Sequence, residues 1–97
     1  MSDVSMRTVE VITYGEFQWN GPEHAARIER ARVFFSDENK VREMLKFCYT
    51  SNGRHARTHL TIDQEDFVEL FDSAMEKNVF KPEVLKDIYK LLKKRFD

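Results

Sequence analysis

The periodicity of residues 63–97 constrains the fold of this chain more than any other feature. Phe67, Val68, Leu70, Phe71, Ala74 and Met75 recur at the three-and-four spacing of one helical face, with Thr61 or Asp63 placed to cap it. Asn78 to Lys81 interrupts the pattern. Pro82 then opens a second helix to about Phe96, because proline at the first helical position loses no hydrogen bond. Two amphipathic helices joined by about four residues form an antiparallel hairpin. Such a pair has an apolar face to bury.

Met1 to Arg7 reads as a disordered tail, and 8–97 as a single α+β domain. Thr8 to Tyr14 is β-rich, and Phe17 and Trp19 alternate again after Gly15, which predicts a hairpin over 8–19. Asn20-Gly21-Pro22-Glu23 reads as a helix start, and Ala25, Ile28, Ala31 and Phe35 keep helical spacing. Ala31, Val33 and Phe35 also alternate as a strand does, so 31–35 fits both states while helix is expected through about Arg30. Ser36, followed by Asp37 and Glu38, is placed to cap a further helix whose buried face is Val41, Met44, Leu45 and Cys48. Gly53 would end it in the left-handed conformation. Residues 57–62 alternate as a one-sided strand. The expected architecture is therefore α+β: a small antiparallel sheet, made of the 8–19 hairpin and the 57–62 strand, covered by three to four helices.

Composition narrows the function classes. The longest apolar run is Val33-Phe34-Phe35, far below the roughly 20 residues that span a bilayer, so no membrane partner is expected. The polar start carries no secretory pattern, and the lone Cys48 has no partner for an internal disulfide; both point to the cytoplasm. Sixteen Lys and Arg against 17 Asp and Glu give a net charge of −1, which removes the argument from a global positive field for a polyanion binder.

Motifs of chemistry are absent. Cys48 with His55 or His59 spells a nucleophile and base, but Cys48 continues an apolar face and reads as a core residue. His55 and His59 lie about 13 Å apart on a strand, too far to share a metal. Counting an EF-hand loop from Asp63 puts Val68 and Ala74 where glycine and glutamate are required. Three glycines, at 15, 21 and 53, cannot build a phosphate loop or a nucleophile elbow. No catalytic, cofactor-binding or metal-binding residue is expected, and the chain reads as a non-enzyme.

Charge counted by segment is more informative. Residues 63–80 carry six acids against Lys77, giving −5, and residues 81–97 carry six bases against three acids, giving +3. Glu65, Glu69, Asp72 and Glu76 fall within about 60° on one helical wheel, opposite Phe67, Phe71 and Ala74. Their three like-charge neighbour pairs each cost roughly 0.2 to 0.5 kcal/mol. The last helix sets Lys86, Lys90, Lys93 and Lys94 opposite a wide apolar arc. The expected function is a regulatory or protein-interaction module that docks a basic protein partner through Glu65, Glu69, Asp72 and Glu76 on this terminal helix pair. The wide arc also admits a second copy of the chain. The alternative is a domain binding RNA or single-stranded nucleic acid through Arg54, Arg57, His59 and Trp19, with a second basic cluster at Arg27, Arg30 and Arg32.

Overall fold

The computed structural model describes residues 5–19, 21–55 and 60–96. The chain divides into two compact units, Met1–Gln64 and Glu65–Asp97. The first is an antiparallel sheet in which β1 (Met6–Gln18), β2 (Ala25–Phe35) and β3 (Lys40–Ser51) run as a meander. Two short strands, β4 (Arg54–His55) and β5 (Leu60–Ile62), pair with different stretches of β3. The second unit holds α1 (Gln64–Glu76) and α2 (Pro82–Phe96). The class is α+β as expected, and both terminal helices stand where their periodicity put them. Among the described residues no helix is long and apolar enough to cross a membrane.

The middle of the chain departs from the sequence reading: among the described residues there are two helices, not three to four. The expected helix up to Arg30 is strand β2, the segment 31–35 continues that strand, and the expected helix after Ser36 is strand β3. Apolar spacing misled both readings in the same way. Ala25, Ala31 and Phe35 are buried on one face of β2 while Ile28 points to the other. On β3, Val41 and Leu45 share one face, and Met44 and Cys48 the opposite one. Neither segment keeps a clean period of two, and unbroken pairing along β2 on both sides decides for strand. Isolated helices this short are marginal.

The 8–19 hairpin is likewise one continuous strand, in which Gly15 lies opposite Ile28. The chain reverses further on, at Gly21 (φ +76), where the Trp19 amide donates to the His24 carbonyl at 3.1 Å. Ser36 opens the turn between β2 and β3 rather than a helix. Its hydroxyl accepts from the Ser5 amide at 3.1 Å, and Asn39 takes a positive φ of 52. Asn52 and Gly53, both at positive φ, make the two-residue turn into β4. Gly53 thus has the expected conformation in a hairpin instead of a helix cap. Of the expected 57–62 strand, Leu60–Ile62 is β5 and the remainder lies outside the described residues.

Two irregularities in β1 set which side chains share a face. Its partners step from Val33 to Arg32 across Thr8 and Glu10, and from Ala31 to Arg30 across Val11 and Thr13. Val9 and Ile12 are the extra residues of two bulges. As a result Thr8, Val11, Tyr14 and Glu16 line up with Val33, Ala31, Glu29 and Arg27. The core sits on this face, centred on Ala31, Val33, Phe35 and Met44.

In the second unit, α1 ends in a Schellman turn. Asn78 adopts φ 57, the Val79 amide donates to the Ala74 carbonyl at 3.0 Å, and the Asn78 amide to that of Met75 at 3.2 Å. Phe80 then returns against Phe71, with ring centroids 5.0 Å apart. The Lys81 carbonyl accepts from Val84 and Leu85, starting α2 with Pro82 in its first turn.

Candidate interaction surfaces

Glu65, Glu69, Asp72 and Glu76 all lie exposed along α1, and none of the ion pairs among the described residues involves either helix. The four carboxylates the sequence singled out are brought together on one helix face with no cation to neutralise them. Beside them Phe67, Val68, Phe71, Ile88 and Leu92 line an apolar cleft of about 390 Å³. No residue of either helix is buried, and the apolar Val68, Tyr89 and Phe96 are 64%, 64% and 84% exposed.

The basic candidates fare differently. Arg27, Arg30 and Arg32 do not form one cluster, because Arg27 projects from the opposite face of β2 to the other two. Each is also paired: Arg27 with Glu16 and Glu29, Arg30 with Glu43 at 3.2 Å, Arg32 with Glu10 at 3.7 Å. Arg54 is exposed on β4, opposite Ser51. Trp19 is half-exposed, with its ring 6.2 Å from that of His24. Arg57 and His59 lie outside the described residues.

On the core face a row of charges crosses the three long strands. Glu29, only 5% exposed, lies 3.5 Å from Arg27 Nη1 and 3.8 Å from Lys46 Nζ. Lys46 also donates to the Thr8 hydroxyl at 2.6 Å, reaching across the small side chain of Ala31. Arg27 stacks on Tyr14, 3.6 Å from the ring centroid. Its Nε is 3.1 Å from Glu16 without the alignment of a hydrogen bond, so that contact is charge to charge. Cys48 belongs to this row; burial, with the Glu29 carboxylate next, pushes its thiol up. That is the reverse of what a thiolate nucleophile requires. Among the described residues no three His, Cys, Asp or Glu side chains converge on a metal-sized site.

The opposite face of the sheet carries a surface the sequence reading missed. Phe17, Ala26 and Tyr49 form one row across β1, β2 and β3, and Gly15, Ile28, Phe47 and Leu60 form the next, extending to β5. Gly15 and Ala26 leave a dip between the larger side chains, an almost wholly apolar groove of about 610 Å³. Phe17 is 68% exposed on its rim. The signal lay in the alternation Val41, Leu45, Phe47, Tyr49 along β3, hidden by the helical reading of Val41, Met44, Leu45 and Cys48. No protein-family model, curated protein or solved structure matches this chain.

Proposed function

We propose that this protein is a non-enzymatic interaction module that docks another protein through its terminal helix pair. The observation that carries the reading is the exposed row Glu65, Glu69, Asp72 and Glu76, without a cation partner, beside an apolar cleft. Like charges at helical spacing cost stability, and here nothing on α1 offsets them. Complementary charge on a partner would convert that cost into steering and register, while the cleft supplies affinity. The double reversal Glu69→Lys with Asp72→Lys changes the −5 of residues 63–80 to −1. Immobilised full-length chain should lose its protein partner on that change, at unaltered far-ultraviolet circular dichroism. Retention of the same partners by the reversed chain contradicts the reading.

A second reading rests on a different surface. Phe17, Phe47 and Tyr49 share one sheet face with Arg54 and with Arg30, which also holds Glu43, and the tilted ring pair of Trp19 and His24 lies at its end. Aromatic side chains on a sheet stack single-stranded bases, and flanking cations meet the phosphates. Trp19, the single tryptophan, is a built-in probe. Oligo(dT) at low salt should quench its fluorescence, with affinity falling steeply as salt rises. Tyr49→Ala should weaken binding by about 1–3 kcal/mol. Unchanged Trp19 emission and no retention on oligonucleotide at low salt would sink this reading.

A further inference from the structure

We infer that the partner of the terminal helix pair is a second copy of this chain, joined through a two-fold axis parallel to the helices; the inference rests on the docking reading above. The charge needed by the acidic row of α1 is present on α2, where Lys86, Lys90, Lys93 and Lys94 are all exposed. Within one chain these rows make no ion pair among the described residues. Phe67, Phe71, Ile88 and Leu92 line the same cleft. An antiparallel hairpin that sets Phe67 level with Leu92 and Phe71 with Ile88 brings Glu65, Glu69 and Asp72 within one residue of the levels of Lys93, Lys90 and Lys86.

The wheels place the two rows at the outer edges of the hairpin. At about 100° per residue, Val68 on α1 and Tyr89 and Phe96 on α2 lie to one side of the seam, with the acidic row and Lys86, Lys90 and Lys93 further round, opposite the seam. Because the two helices run in opposite directions, those sides form one face, rimmed with acid along one edge and base along the other. A copy turned about an axis parallel to the helices sets α1 of each chain against α2 of the other, acid to base at both rims. Turned about the perpendicular in-plane axis, it would set acid against acid. An isologous interface of the first kind closes at two copies. The face is about 20 Å long and two helices wide, roughly 400 Å² per copy. That is a small interface, so the dimer is expected to be concentration-dependent in the micromolar range.

The test is the mass of the full chain in solution by sedimentation equilibrium or light scattering, at low salt. At roughly 200 µM the wild-type chain should have twice its 11.6 kDa mass. E69K/D72K alone and K86E/K90E alone should be monomeric, with circular dichroism verifying that each remains folded. Their equimolar mixture should recover the dimer as a heterodimer, since one rim then pairs the two reversed rows and the other the two unreversed ones, opposite in charge at both. This rescue excludes misfolding as the cause of the losses. Wild-type chain monomeric at that concentration overturns the inference, as does a dimer indifferent to both reversals, which would place the contact elsewhere, as on the aromatic sheet face. The docking reading survives a monomer if the chain holds a different protein in a manner dependent on Glu69 and Asp72. It falls as well if no binding depends on them.

Discussion

Val33→Asp is expected to unfold the sheet unit. Val33 is 2% exposed near the C-terminal end of β2, with Thr8 and Arg42 as its cross-strand neighbours and Ala31, Phe35 and Met44 completing the core. A carboxylate there loses the valine's apolar contacts and enters a site with no room for hydration. The cost is roughly 4 kcal/mol or more, against about 5–15 kcal/mol for a typical domain in total. Arg42 does not rescue it, because that guanidinium already holds Asp63 at 2.7 Å and Glu38 at 3.8 Å. In urea the midpoint should fall by more than about 1 M, or folding should be lost outright. Thr13→Asp, exposed on β1 opposite Arg30, is the matched control and should stay within about 0.5 kcal/mol. A tolerated Val33→Asp would mean that β2 does not bury its odd-numbered face, and the strand assignment itself would fall.

That outcome also bears on why the first two thirds of the chain were harder to read than the last. In α1 and α2 the apolar residues fit a helical period and no other, and both helices lie where that period puts them. In β2 the apolar positions are separated by charged ones, Arg27, Glu29, Arg30 and Arg32. Two of these, Arg27 and Glu29, point to the core side, where a polarity pattern expects only apolar residues. In β1 the bulges at Val9 and Ile12 break the alternation, so the residues facing the core are spaced by three, three and two. Gly15, read as a turn, instead makes space on a sheet surface, a role that depends on its cross-strand neighbours. The acidic row of α1 was legible because it lies on one helix. The aromatic groove was not, because it is assembled from three strands, two of which were taken for helices.

The charges inside the sheet carry the other large expected effect. Glu29→Ala should destabilise the sheet unit by about 3 kcal/mol, because it leaves two partly buried cations without their shared carboxylate. Arg27 and Lys46 flank Glu29 with side chains 18% and 13% exposed, so neither is fully compensated by water. Arg27 keeps Glu16 and the Tyr14 ring, and Lys46 keeps the Thr8 hydroxyl, which places the loss near the low end for a broken buried pair. Glu29→Gln, which keeps the shape and some hydrogen bonding, should fall between wild type and Glu29→Ala. Replacing both partners distinguishes a lost contact from a stranded charge. If stranding dominates, Glu29→Leu combined with Lys46→Met should cost less than Glu29→Ala alone, since no unpaired ammonium remains beside Ala31. The measurement is a double-mutant cycle by urea unfolding, repeated at high salt, which should screen these half-buried charges only weakly. Glu29→Ala within about 0.5 kcal/mol of wild type would show that the row contributes nothing to the fold. Its crossing of three strands would then have to be explained by what it binds.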